Sequence, residues 1–476
     1  MFNESLLTSH AAEKQAPFGR AVVIGGSIAG LTAARVLSNH FEKVTIIERG
    51  QLADGIDFPK GSPQARHPHF LLIRGERIME GMFPGLEQDL LAGGAQKLNF
   101  GRDLEMRFPD GWLPHYETDL SGTAVSRRLL DYTIHQRVAQ IPNITIKPDS
   151  EVMSICTDDD NQRVIGVQIH NRASGRVEDI PAELVVDASG RSSKAPEWFA
   201  QLGYAAPEDQ TVNAFPGYAT RIYEIPEEFD QSWKILYIMP NHPTVSRGAI
   251  VIPMEGNHWH VTLIGMNRDY PATDEEGFLE FARTLTSTKL YDAIKDAKPA
   301  SPIWGYRRAE NRMRRYDNLE RYLEGFVALG DAVYALNPVY GQGMTLASIG
   351  SALLDQCLLE QAQQGTGSAV DQTAPFSGMA EKFQKLLSKE LVAPWQTATN
   401  EDMRWPETEG KQELDPASKI IGRYFKMVLK AMPHSVKATD AFFHVQHMIA
   451  PPTILMRPDI LFNVLKTNLT LRFSKS

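Results

Sequence analysis

Gly25-Gly26-Ser27-Ile28-Ala29-Gly30 closes an apolar run and opens a stretch with helical apolar spacing. A turn of small residues at that junction lets backbone approach a pyrophosphate at the positive end of the following helix. Ser27 stands where the middle glycine is usual. Glu48, followed by Arg49, ends the next apolar run, where a carboxylate can accept hydrogen bonds from ribose hydroxyls. Gly330-Asp331 follows a later apolar run, and a carboxylate there can hold a polyol hydroxyl. Asn337-Pro338-Val339-Tyr340-Gly341-Gln342-Gly343-Met344 comes next. The free amides of Gly343 and Met344, at the start of a helix, suit the developing negative charge of a reduced flavin. Taken singly, these are a glycine turn of any α/β protein and an Asp cap before a glycine-rich loop. Their order over more than three hundred residues predicts one FAD, with Pro338, Gly341, Gly343 and Met344 near its isoalloxazine.

Between these pieces lie three further candidates. Asp187-Ala188-Ser189-Gly190-Arg191-Ser192-Ser193 is the middle signature of the set. In Ser126-Arg127-Arg128 either guanidinium could pair with phosphate oxygens, or the pair is a solvated basic helix start. Pro63-Gln64-Ala65-Arg66-His67-Pro68-His69 brings two histidines to strand spacing. A metal site would need a neighbouring Cys or carboxylate cluster. The run therefore reads as ordinary loop histidines or as a loop lining the flavin.

The elements that must position these residues follow from patterning. Ala21–Gly25, Ile28–Leu37 and Val44–Glu48 form a β-α-β unit. Helical spacing runs from Phe70 to Ala95 and from Ser126 to Ile141. Tyr218–Ile225, Lys234–Met239, Gly248–Met254 and His258–Met266 are strands in series, which predicts an antiparallel sheet. Phe326–Leu329 is again a buried strand, and Met344–Gln364 a helix. The expected fold is α/β: a Rossmann-like FAD-binding domain with an inserted antiparallel-sheet substrate domain and a C-terminal helical region. Its expected boundaries are a flexible leader over 1–18, the FAD domain over 19–205 and 320–365, the substrate domain over 206–319, and the helical region over 366–476, opened by a linker at 365–375.

Bulk composition narrows the function. The 476 residues carry 42% hydrophobic and 22% charged side chains, as soluble globular chains do. A net charge of −9, without blocks of like charge, argues against nucleic acid. Cys156 and Cys357 predict neither a disulfide framework nor a metal cluster, and fit a reducing compartment. Met1–Phe18 lacks a signal-peptide pattern, and no window reaches the ~18 apolar residues of a membrane span. These features predict a cytoplasmic protein. Ile449–Phe473, with Arg457, Lys466 and Arg472, reads as a core-covering helix or as a peripheral contact with an anionic membrane or a partner.

With these residues in view, the chain resembles the class A-type FAD monooxygenases built like aromatic hydroxylases, and within them the alkene epoxidases of polyether pathways. The likeness rests on Lys60 through His69, Ser126-Arg127 with Leu130-Asp131, Val185-Val186-Asp187 with Gly190-Arg191, Tyr218-Ala219-Thr220-Arg221, Gly330-Asp331-Ala332 and Asn337 through Gly341. It implies that Arg127 is the pyrophosphate arginine. It also implies NAD(P)H as electron source, O2 as co-substrate, a C4a-hydroperoxyflavin as oxidant and a lipophilic alkene or arene as acceptor. One departure bears on the electrons. Hydroxylases that reduce their own flavin usually carry Asp-Gly-x-x-Ser-x-x-Arg; here Ser189 takes the acidic position and Pro196 the arginine's. A separate flavin reductase is therefore an alternative to direct use of NAD(P)H. Rival readings are a flavin-dependent halogenase, whose Trp-x-Trp-x-Ile-Pro signature is missing, an isoprenoid saturase, and a non-catalytic FAD-binding protein.

Overall fold

Phe18–Ile24 and Phe41–Ile47, joined by the alanine-rich helix Ile28–Leu37, build the β-α-β unit that the glycine turn requires. The computed structural model describes residues 18–51, 63–307, 309–364, 376–413 and 416–473. Residues 1–17 of the expected leader, Lys60-Gly61-Ser62 and the expected linker 365–375 lie outside them. The two strands are parallel, with Val22 beside Thr45. They belong to a five-stranded parallel sheet in the order Phe326–Ala328, Leu184–Asp187, Phe18–Ile24, Phe41–Ile47, Ile144–Lys147. Its inner strands read as continuous apolar runs because helices cover both faces.

Gly343–Gln364 is the helix that packs most extensively on Ile28–Leu37. Small and hydroxylated residues let the two approach closely: Thr32 Oγ1 lies 2.8 Å from Ser351 Oγ, both buried. Further along, His40 Nε2 meets Asp355 Oδ1 at 2.7 Å. The walls of the cleft, one early and one late in the chain, are thus locked together by buried polar pairs.

Facing this layer is a seven-stranded sheet in the order Trp304–Tyr306, Gly217–Glu224, His258–Gly265, Arg247–Met254, Ile235–Ile238, Leu104–Phe108, Gly111–Trp112. All neighbours are antiparallel except Ile235–Ile238 and Leu104–Phe108. Period-two alternation separates its faces. Leu236, Val251 and Val261 pack with Trp259, Trp233 and the helices Glu275–Arg283 and Lys289–Ile294. Tyr237, Ile250 and Ile252 turn the other way, toward Phe70 and a set of C-terminal helices. Those helices are Pro416–Ala431, Val436–Gln446 and Pro458–Phe473, whereas Met379–Asp402 packs on the Rossmann-like layer. The molecule is therefore α/β with a Rossmann-like sheet, an antiparallel layer and a helical C-terminal region, as the sequence predicts.

The patterning between Phe70 and Ala95 resolves into two helices, Ile73–Met82 and Leu86–Ala92. Pro84 supplies no amide, and Gly85 turns the chain at φ +82°. Glu80 secures the break, accepting from the amides of Gly85 at 2.6 Å and Glu87 at 3.0 Å. Apolar spacing survives such a break because both helices bury the same side. Leu104–Phe108 joins the large sheet through a partner strand far along the chain, so its local sequence carries little sign of it.

Candidate active site

Only glycine fits the turn. Gly25 has φ +104°, and a Cβ there would lie 2.6 Å from the Ala188 carbonyl oxygen. At Gly30 a Cβ would stand 1.8 Å from the Gly25 carbonyl oxygen. Ser27 is the N-cap of Ile28–Leu37 and makes no side-chain cap bond, so the helix presents its leading amides to the cleft. Arg127, 6% exposed, lies across this end. Its Nη2 is 3.3 Å from Ser27 Oγ, and a fork onto Asp131 at 3.0 and 2.9 Å fixes its plane. Arg128 turns away and pairs with Glu255 at 2.9 Å. Ser126 orients the pair by capping their helix through Leu129 N.

Glu48 does more than the sequence suggests. Its two carboxylate oxygens accept from Gly26 N and Gly50 N, each at 2.7 Å, and so clamp the glycine turn. Each oxygen keeps a second lone pair for a hydroxyl donor. Arg49 is exposed beside it. On the far wall, Asp331 follows Gly330, whose φ of +63° and contact with Ala29 bring the loop onto the glycine turn's helix. The Asp331 carboxylate is accessible from the cleft, lies 4.0 Å from Arg191 Nε, and is adjacent to Gly343. Surrounding protein raises its pKa, while Arg191 and Arg127 pull it back. Arg191 itself is held by the carbonyl oxygens of Glu310 and Leu336 and by the Glu310 carboxylate.

The turn from Asn337 to Gly341 rests on a buried carboxylate that no motif announces. Asp402, at the end of Met379–Asp402, is fully buried. It accepts from Asn311 Nδ2 and the Tyr340 hydroxyl, each at 2.6 Å, and from Asn337 Nδ2 at 3.1 Å. Asn337 passes the linkage on: its Oδ1 accepts from the Tyr218 hydroxyl and from Val339 N. Burial pushes the Asp402 pKa up to about 6 against the pull of those hydrogen bonds. A signal existed in the sequence. Leu387, Leu391, Trp395, Ala398 and Asp402 continue one buried stripe at helical spacing, so the carboxylate falls in register with apolar residues. Within the turn, the side-chain oxygen of Gln342 is buried with no hydrogen-bond partner among the described residues, an acceptor left open beside Gly341 and Gly343.

Opposite the turn, the histidine loop joins the large sheet. His67 Nδ1 lies 2.7 Å from Thr220 Oγ1, which in turn meets Thr262 Oγ1 at 2.5 Å. His69 Nδ1 bonds the His67 carbonyl oxygen, and His260 Nε2 the Arg66 carbonyl oxygen, both at 2.8 Å. Burial holds His67 and His260 down to about pKa 4; His260 and Arg66 add to the effect at His67, whereas the Arg66 carbonyl and Glu255 oppose it at His260. Each of the three histidines commits one ring nitrogen to a protein oxygen, which fixes the loop against the large sheet. Tyr218, Tyr237, Ile250, Ile264, Met266 and Val339 form one apolar cluster under the turn. A cavity of about 370 Å³ opens beside it, between Tyr218, Tyr270, Gly305, Tyr306 and Arg307.

A two-layer molecule with a glycine-turn cleft on a parallel sheet, an acid-bearing second wall and an antiparallel sheet beside a cavity has the architecture of a flavoprotein. The fit to FAD rests on the glycine positions that a Cβ would fill, the uncapped helix start beside Arg127, and the open acceptor of Gln342. The chain matches the FAD binding domain family over residues 20–372 and belongs to it. It is a flavoenzyme of the FAD-dependent monooxygenase class, with NAD(P)H as the reductant typical of that class. It is 33% identical over 354 residues to Protein Rv3254 of Mycobacterium tuberculosis, covering 72% of this chain and 73% of that one. With kynurenine 3-monooxygenase of Salinispora tropica it shares 24% identity over 81% of this chain and 80% of the relative. Among solved structures, PqsL, a probable FAD-dependent monooxygenase from Pseudomonas aeruginosa, superposes at TM-score 0.58 with 15% identity, over 90% of this chain and 99% of its own. A flavin-dependent brominase, Bmp2, shares the fold at TM-score 0.57 and 16% identity, over 89% of this chain and 97% of its own.

Proposed function

We propose that this enzyme transfers one atom of O2 to a lipophilic alkene or aromatic ring, by epoxidation or hydroxylation. The observation that carries this reading is the chamber wall. Tyr218, Tyr237 and aliphatic side chains pack under the flavin turn, with His67 and His260 of depressed pKa on the neighbouring loop and sheet, and we find no activated nucleophile among them. In this reading the glycine turn Gly25, Gly26, Ser27, Gly30 and Arg127 hold the pyrophosphate, Glu48 and Arg49 the adenosine side, and Asp331 the ribityl chain. Gly341, Gly343 and Met344 cradle the pyrimidine edge, with Pro338 against the ring. When bound and reduced by two electrons from NAD(P)H, the flavin supplies the oxygen activation, one atom going to substrate and the other to water. The protein's own work is to seat the ring, exclude water and orient the acceptor.

A halogenase reading shares the fold but lacks the tryptophan signature; the nearest piece, Pro302 to Tyr306, departs from it and forms the edge strand Trp304–Tyr306. The deciding experiment supplies FAD-loaded protein with NADPH, with and without a generic flavin reductase, and 18O2. A panel of lipophilic alkenes and arenes is screened by mass spectrometry. One 18O atom in a product is expected. Reductant consumption with saturated products and no label would instead favour the saturase, and halide incorporation the halogenase.

A further inference from the structure

Pro458–Phe473 has apolar residues on two opposite sides. Ile460, Val464 and the small polar Asn468, four residues apart, are buried against the rest of the molecule. Asn468 Nδ2 fastens this side to Pro416–Ala431 by a 2.9 Å bond to the Met427 carbonyl oxygen. Phe462, Leu465 and Leu469 recur on the reverse side and are 69%, 42% and 54% exposed. Segments packed against this helix add Ile420, Ile421 and Met456, each at least 60% exposed. A core-covering helix needs one apolar side. The second side is surplus to the fold, and contiguous exposed apolar surface marks an interaction site.

The charge around it selects the occupant. Between Pro416 and Ser476 the chain has nine basic and two acidic residues, within a protein whose net charge is −9. Lys419, Arg423 and Lys466 are exposed on the same two helices as the apolar side chains. A second copy docking through this face would bring two positive surfaces together, which costs Coulomb energy. A bilayer with anionic headgroups answers both features: acyl chains for Phe462, Leu465 and Leu469, phosphates for the lysines and arginine. No helix among the described residues is long and apolar enough to cross a membrane, so the contact lies in the interface plane. We infer that the C-terminal helices dock this enzyme on an anionic lipid surface through the outward side of Pro458–Phe473. The buried side of the same helix shares a cluster with Tyr237 and Ile250 of the chamber-facing sheet. A lipophilic acceptor dissolved in the bilayer would then be held on the side of the molecule whose apolar packing continues to that sheet. That last step rests on the substrate class proposed above; the docking itself does not.

The test is co-sedimentation of the full-length, FAD-loaded protein with vesicles of phosphatidylcholine alone or with about one third phosphatidylglycerol. Binding is expected to the anionic vesicles and to weaken as salt shortens the Debye length to a few ångströms. The variant Phe462→Ser/Leu465→Ser/Leu469→Ser should bind at least about tenfold more weakly, since each side chain contributes through buried area. Lys419→Glu/Lys466→Glu should lose the preference for anionic lipid while keeping its fold. Unchanged circular dichroism and flavin content identify the variants as folded. Three results would overturn the inference. They are no binding by the wild type, equal and salt-insensitive binding to both vesicle types, or a wild-type dimer that the triple variant converts to monomer without any vesicle binding. Vesicle binding by a protein that oxygenates nothing in the panel would sink the substrate reading and leave the docking intact.

Discussion

At the scale of single residues, the strongest demands are steric. Gly30 has the Gly25 carbonyl oxygen where its Cβ would go, at 1.8 Å. Gly30→Glu should abolish FAD uptake, read as loss of flavin absorbance in purified protein and after reconstitution. Wild-type affinity in that variant would remove the glycine turn from the site. Asp402 makes a different demand, electrostatic and opposite in sign to the usual surface carboxylate. Its pKa is raised from 3.8 to about 6, so the folded state binds a proton that the unfolded chain releases. Asp402 therefore adds stability below pH 3.8 and loses that contribution as pH rises through 6, a span on the order of 3 kcal/mol. Asp402→Asn should flatten this share of the profile: relative to the variant, the wild type's melting temperature should climb between pH 7 and pH 5. Asp402→Ala, which leaves Asn311, Asn337 and Tyr340 without their acceptor, should cost about 2–4 kcal/mol at pH 5 and less as pH rises through 6, measured by denaturant titration.

At the scale of elements, the middle motif is tied into its own loop. Asp187 ends the strand Leu184–Asp187 fully buried, accepting from Ser189 and Ser193 hydroxyls at 2.5 Å and from Ser189 N at 3.0 Å. It is the internal anchor of its loop, and Arg191 is likewise held by Glu310 and Leu336. Both are engaged by protein groups, and slow reduction by a nicotinamide nucleotide is the expectation this supports. Anaerobic stopped-flow should show slow bleaching by NADPH or NADH alone and fast turnover when a generic reductase supplies reduced FAD. Rapid bleaching by either nucleotide at the turnover rate would show self-reduction. What the sequence made legible follows the same scale. The first β-α-β unit, the helix opened by Ser126 and the hairpin around Glu255-Gly256-Asn257 could be read because local spacing and a cap or turn residue set them. Leu104–Phe108 could not be located that way, and Asp402, though legible as part of a buried helical stripe, gave no local sign of its partners. One becomes a strand by pairing with Ile235–Ile238, the other reaches the flavin turn from the C-terminal helices, and neither relation has a local period. Glu48 was found, but its clamp on Gly26 depends on the turn's fold and not on the motif.

Across the whole molecule, acid sensitivity is dispersed. Burial lowers His67, His242 and His260 to about pKa 4 and His447 to about 3. His67 and His260 share the junction of the histidine loop with the large sheet, His242 lies beside Trp405, and His447 sits against Phe100 and the Ile73 amide. With folded values below the unfolded 6.5, each contributes stability at neutral pH that drains away as pH falls from 6.5 toward its folded value, about 2 kcal/mol per histidine by pH 5. His447→Gln should remove one share, so the gap in melting temperature between wild type and variant should narrow on going from pH 7 to pH 5.

The parallel pairing of Leu104–Phe108 with Ile235–Ile238 also constrains the order in which the chain can fold as it is made. A strand that leaves the ribosome early must wait for a partner more than a hundred residues behind it, and the cleft's second wall, Asp331 with Gly343–Gln364, comes later still. Long-range pairing of this kind is slow and leaves an open sheet edge in the interval. The nascent chain should therefore capture no flavin until the helix Gly343–Gln364 has emerged. Stalled nascent chains ending near residue 300 should remain protease-sensitive and colourless, whereas chains stalled after the C-terminal helices should take up FAD.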